Sequence, residues 1–189
     1  MAVTLTDTSV IGLDAGGFGS NVITRTNAYA GAVLQTVTTT KTDVFAGGGD
    51  GVTFYDITGF TASITPSSAT NKILIIANMH LGSGYWEVQG KLTRGGTTVA
   101  ASLGVARGSR LAVSFSVNQY YGASVGYNFL DTNYCYLDSP ATTSAVTYGF
   151  SINGYSTYGV YLNRTGSDPD QTDYYGCPSS TITLMEIKA

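Results

Sequence analysis

Short runs of alternating residues, each closed by a cluster of Gly, Pro, Asn, Asp or Ser, recur from Gly31 to the end of this chain. They are clearest in Thr61-Ala-Ser-Ile-Thr-Pro-Ser-Ser-Ala-Thr-Asn-Lys-Ile-Leu-Ile75 and Ser180-Thr-Ile-Thr-Leu-Met-Glu-Ile187. A period of two puts successive side chains on opposite faces of a strand, so each run reads as one half-buried strand between turns. Thr, Tyr, Val, Ile and Phe suit that pleated surface, while the helix formers Glu, Lys and Leu are scarce. The chain is therefore expected to be all-β, with little helix.

The runs place strands at 32–37, 52–57, 60–64, 72–78, 85–89, 91–94, 98–100, 111–117, 128–130 with 134–137, 146–152, 159–162 and 181–187. Residues 41–51, with Gly47-Gly-Gly-Asp-Gly51, read as a flexible excursion, 66–71 as a turn, and Arg94-Gly-Gly-Thr97 as a hairpin loop. Run 72–78 is apolar on both faces, which marks a central strand. About ten short strands, with a turn roughly every 8 to 12 residues, predict an antiparallel, jelly-roll-like β-sandwich over residues 31–189. Residues 1–30 have a different texture, with weak alternation and then the Gly-rich break Ala15-Gly-Gly-Phe-Gly-Ser20. They are expected to form an extended arm that docks on a neighbouring chain or a larger assembly, with Val3, Leu5, Ile11 and Phe18 as anchor candidates.

The 189 residues are of single-domain length, enough to bury about 70% of the unfolded surface. Charged residues are 11% of the chain, and the net charge is −3. The few Lys and Arg are scattered, so no phosphate-binding surface and no nucleic-acid partner are expected. No apolar run is long enough to span a membrane, and the first residues lack the basic and apolar stretches of a secretory signal. Cys135 and Cys177 are expected to be buried free thiols rather than a disulfide.

Few residues are equipped for chemistry. His80 is the one histidine, so no multi-His metal site can be assembled within one chain, and a Ser-His-Asp arrangement would have to use it, where the neighbouring Ser83 reads as part of an ordinary turn. The two glutamates, Glu87 and Glu186, lie on strands rather than as a paired acid and base in a cleft. Asp168, Asp170 and Asp173 are close enough in sequence for a cation site but lack the spacing of an EF-hand loop, so a solvated turn is the expectation. No catalytic residue, metal or cofactor is assigned. The 14 tyrosines crowd the second half of the chain. Tyr and Trp give stiff amphipathic surface suited to stacking on sugars or to packing at subunit seams. Tyr120, Tyr121, Tyr155 and Tyr158 are the candidates for contact with a glycan or receptor, and Tyr85 with Trp86 forms a pair of the same sort.

Five segments, in order, carry a resemblance: Gly31-Ala-Val-Leu-Gln-Thr-Val37, residues 61–75, Tyr136-Leu-Asp-Ser-Pro-Ala-Thr-Thr-Ser-Ala-Val-Thr-Tyr148, Asn163-Arg-Thr-Gly166 and residues 179–187. Together they resemble the small C-terminal β-domains in fibre and other virion structural proteins of tailed bacteriophages, particularly phages of aquatic bacteria and cyanobacteria. The resemblance implies a virion-surface protein made in the host cytoplasm, a homotrimer with a jelly-roll-like head. Its partners would be other virion proteins (a tail adaptor, baseplate or capsid), and the tyrosines add a host surface glycan as a candidate partner. It does not reach residues 1–30, so tail or head fibre and trimeric capsid decoration protein both stay open. A polysaccharide-degrading tailspike is disfavoured by the short chain and the missing acid pair. Arg164 is expected to pair across a subunit contact, with Asp138, or with solvent.

Overall fold

The computed structural model describes residues 28–118, 126–155, 157–172 and 175–189. Their regular structure is strand, apart from a single 3-10 turn at Ala100–Ser102. In chain order the strands are β1 (Val33–Lys41), β2 (Phe45–Gly47), β3 (Tyr55–Ile64), β4 (Lys72–Ser83), β5 (Glu87–Arg94) and β6 (Thr97–Thr98). They continue with β7 (Phe115–Asn118), β8 (Leu130–Asp138), β9 (Val146–Gly154), β10 (Val160–Leu162) and β11 (Ser180–Ile187).

They form two antiparallel sheets. In the first, β11 lies between β1 and β4, and β8 takes the other edge of β4. The short β10 continues the line of β11, pairing with Leu81, Gly82 and Ser83 of β4, and β2 lies outside β10. In the second, β9 lies between β3 and β5, and β7 and β6 share the far edge of β5.

With the short β2, β6 and β10 set aside, eight strands remain. The first pairs with the last (β1 with β11), the second with the seventh (β3 with β9), the third with the sixth (β4 with β8) and the fourth with the fifth (β5 with β7). This is one long antiparallel ribbon, turned back on itself between β5 and β7 and rolled up until β11 meets β4 and β9 meets β5. That winding defines a jelly roll, and it bears out the all-β sandwich expected from the strand spacing.

The core lies between the sheets. Ile73, Ile75, Ala77, Met79 and Leu81 of β4, with Ile182 and Leu184 of β11, face Phe60, Ala62, Ile64, Leu92, Tyr148, Phe150 and Ile152. Phe150 is central, its ring centroid 6.1 Å from Phe60, 6.1 Å from Phe115 and 5.4 Å from Tyr134.

Several strands differ from expectation for local reasons. Runs 52–57 and 60–64 are one strand with a bulge, where pairing shifts between Asp56 and Thr61 and Gly59 takes φ 77°. Runs 85–89 and 91–94 are likewise one strand, β5. The strand expected at 111–117 is confined to Phe115–Asn118, and the excursion expected at 41–51 contains β2. The hairpin at Gly95 and Gly96 is as expected, with φ 58° and 75° at its two central residues, the signature of a turn whose twist matches the strands.

Buried polar side chains set the corners. Glu186 is fully buried on β11. Its Oε1 accepts from the Ser67 amide at 2.6 Å, the Ser67 hydroxyl at 2.7 Å and Asn71 Nδ2 at 2.7 Å. Its Oε2 accepts from Gln35 Nε2 at 2.6 Å. Burial by itself would raise its pKa, but these donors hold the carboxyl below its ordinary value of 4.5. At the other end Asn163, with φ 63°, donates to the carbonyls of Lys41 and Asp43 at 2.8 and 3.0 Å and accepts from the Ser180 hydroxyl at 2.7 Å. One side chain thus fixes the place where β1 gives way to β2 and β10 to β11.

The winding gives the sandwich two unlike ends. The β3–β4, β5–β7 and β8–β9 connections lie at one end, together with residues 28–32 and the C-terminal residues, joined by a Gly31 amide to Lys188 carbonyl bond of 2.8 Å. The β1–β3, β4–β5, β7–β8 and β9–β11 connections lie at the other.

Candidate functional site

The second of these ends carries an aromatic cluster built from two connections. Gly84, Tyr85 and Trp86 join β4 to β5, and residues 155–159 join β9 to β10. The first is held by its backbone: the Tyr85 amide donates to the buried Ser83 hydroxyl at 3.2 Å, and the Gly84 amide to the Gly159 carbonyl at 3.0 Å. In the second, the Tyr158 amide donates to the Tyr155 carbonyl at 3.3 Å, a turn that brings the two tyrosines to its ends. Glycine brackets this turn because there is no room for a side chain. A Cβ at 154 would lie 2.4 Å from Val160 Cγ1, and one at 159 would lie 2.4 Å from the Tyr161 hydroxyl.

The rings meet across the two connections. Tyr85 stacks on Tyr158 at 4.5 Å between centroids and 13° between planes, and Trp86 lies 4.5 Å from Tyr85 and 4.7 Å from Tyr155. Tyr155 and Tyr158 are each 41% exposed, so the stack presents a rigid apolar face with phenol hydroxyls. Such a surface matches the apolar face and hydroxyl rim of a sugar ring. Tyr127 and Tyr175 form an edge-on pair at 6.0 Å on the connections of the same end.

Tyr155 and Tyr158 are thus brought together, and Tyr85 and Trp86 join them. Tyr120, Tyr121, the anchor candidates Val3, Leu5, Ile11 and Phe18, and Asp173 lie outside the described residues. Arg164 and Asp138 do not pair, because they stand at opposite ends of the sandwich. Arg164 lies over the Tyr161 ring at 4.0 Å and reaches Asp168 at 3.4 Å, whereas the buried Asp138 accepts from Arg94 Nη1 and from the Tyr148 hydroxyl, each at 2.6 Å. Asp138 therefore works in the frame. Burial, and then the bond to Asp138, push the Tyr148 phenol well above its ordinary range. Cys135 and Cys177 are free, as expected, but both are exposed rather than buried. Cys135 alternates outward along β8, and Cys177 sits in the long connection before β11.

His80 lies on β4 opposite Asp131 on β8, its Nδ1 2.6 Å from the carboxylate. Among the described residues no three His, Cys, Asp or Glu side chains gather as a metal-binding group. No helix of the described chain is long and apolar enough to cross a membrane. The outer face of the first sheet is uncharged over two whole rows: Thr36, Met185, Leu74 and Leu137, then Thr38, Thr183, Ile76 and Cys135. Leu137 is 44% exposed. The sequence reading of β4 as apolar on both faces detected two of these eight positions, Leu74 and Ile76.

No protein-family model matches the chain, and no curated protein does. Among solved structures it is similar to the VP2 subviral particle of infectious bursal disease virus, with 15% identity and a TM-score of 0.37. A structure of the Gx strain of the same virus gives 14% identity and a TM-score of 0.37. These likenesses cover 95% and 94% of this chain but only 41% and 42% of the viral chains. The chain spans about two fifths of the proteins it superposes on, and the jelly-roll assignment rests on its own strand pairings.

Proposed function

We propose that this chain is a structural protein of a bacteriophage virion, a fibre in which the N-terminal segment anchors to the particle and three jelly-roll heads contact carbohydrate on the host surface. The observation that supports it most is the opposition of the two ends. Residues 28–32 join the head at the end remote from Tyr85, Trp86, Tyr155 and Tyr158. A head held by that segment therefore presents its aromatic end outward.

The resemblance to phage virion proteins fits the same polarity. Four of its five segments fall on β1, the β3–β4 turn, the β8–β9 turn and β11, which are the frame and the anchored end. The aromatic connections lie outside them, where a protein that must meet different hosts would vary its surface. The mechanism is binding without turnover, with three heads raising avidity. The uncharged outer face of the first sheet supplies a surface for self-association, since covering it desolvates no charge.

That same flat face favours a second reading, a capsid decoration protein seated on shell subunits. Electron microscopy of particles labelled with antibody to residues 31–189 separates the two. Label on slender projections with three copies each is the expected result, and label spread over the shell is the result of the second reading. A monomer in solution by light scattering, or particles that carry no label, would overturn both.

A further inference from the structure

The outer face of the second sheet holds two buried amide oxygens without donors. Glu87 and Gln89 stand two residues apart on β5 and so share that face, and Asn153 on β9 is the cross-strand partner of Gln89. Asn153 is only 1% exposed, yet its Oδ1 has no hydrogen-bond partner, and neither has the buried Oε1 of Gln89. The nitrogen of the Gln89 amide is already committed, donating to Glu87 Oε1 at 3.2 Å. Lys91, next on the same face, is turned onto the Phe54 ring, with Nζ 3.9 Å from its centroid.

Two buried carbonyl oxygens left bare are costly, and a neighbouring carboxylate adds a third acceptor rather than a donor. Such a set calls for positive charge. We propose that Glu87, Gln89 and Asn153 bind a hard divalent cation of the calcium type, with water completing its shell. One carboxylate and two amide oxygens are ligands that such an ion takes, and among the described residues no sulfur or imidazole ligand stands with them to favour a softer metal. A single charged ligand sets the affinity at the weak end, about 10⁻⁴ to 10⁻³ M. Glu87 follows Trp86, and Asn153 stands two residues before Tyr155. The ion therefore ties β5 to β9 at the roots of the aromatic cluster and couples that cluster's order to the calcium around it.

Trp86 is the one tryptophan of the chain, which gives a test with a built-in position marker. Tb³⁺ added to the full chain is expected to luminesce when excited through tryptophan, and Ca²⁺ is expected to displace it. Glu87→Gln should weaken binding roughly tenfold, and Asn153→Asp, which adds a second charge, should strengthen it by about as much. Ca²⁺ should also raise the melting temperature of the wild type but not that of Glu87→Gln. The proposal is overturned by the absence of sensitised emission. It is equally overturned by emission and melting that are the same in wild type and Glu87→Gln, the result if a water molecule alone satisfies the two amides.

Discussion

At the scale of the residue, Glu186 shows how a side chain that looks ordinary in the sequence becomes structural. Its donors come from Gln35, Ser67 and Asn71, more than 110 positions away in the chain, so no local pattern could announce the role. Hydrogen bonds to a charged acceptor are worth about 1.5 to 3 kcal/mol each, and a Gln at 186 would turn an NH₂ toward at least one donor. Glu186→Gln is therefore expected to lower stability by about 2 to 3 kcal/mol in urea unfolding. The pH dependence has a definite sign. Because the folded pKa is depressed below 4.5, the carboxylate's contribution is fully present above that value and is lost as pH falls through the lower folded value. Glu186→Gln should flatten the stability profile on the acid side of pH 4.5; an unchanged slope there would show that other groups carry the acid response. Tyr155 and Tyr158 were legible because tyrosine is so abundant nearby. That Tyr85 stacks on Tyr158 was not, since the contact depends on a bond between Gly84 and Gly159.

At the scale of the element, the alternation identified strands well and their limits poorly. β8 reads as two pieces in sequence because Asp131 and Asn133 interrupt the apolar residues, yet they simply occupy the outward positions of one strand. β5 was split at Gly90, where a Cβ would come within 2.0 Å of the Phe115 ring; the glycine makes room for an aromatic ring rather than ending the strand. β2 has three residues, too few to show any period, whereas β10 falls inside the run read at 159–162. The last strand was the plainest reading of all. β11 lies between β1 and β4 and buries Ile182 and Leu184 in the core, so deleting residues 181–189 opens two strand edges at once. The truncated chain is expected to lose its near-ultraviolet circular dichroism and its cooperative melt. A soluble form that still melts in one sharp step would show that the ribbon closes without it.

At the scale of the whole molecule, strand count and turn spacing announced a sandwich. A jelly-roll-like winding was expected from them, but which residues pair in it, and the division of the loops between two ends, were not readable, because both follow from pairings between distant strands. That division makes the two surfaces of the proposed fibre independently testable. Leu74→Asp with Leu137→Asp places charge on the uncharged outer face without touching the core, and should turn a trimer into monomers by light scattering at nearly unchanged melting temperature. The monomeric heads should keep their intrinsic affinity for host carbohydrate while losing the gain from linked sites, about 10² to 10⁴ in apparent affinity for host cells. Tyr155→Ala with Tyr158→Ala should do the reverse, leaving the trimer intact and removing carbohydrate binding, since stacking rings contribute about 0.5 to 1.5 kcal/mol each beyond their buried area. A glycan array read with both variants distinguishes the surfaces. If the tyrosine variant binds as the wild type does, the aromatic end is packing and the host contact lies elsewhere. If the leucine variant remains a trimer, the first sheet faces solvent and another surface joins the subunits.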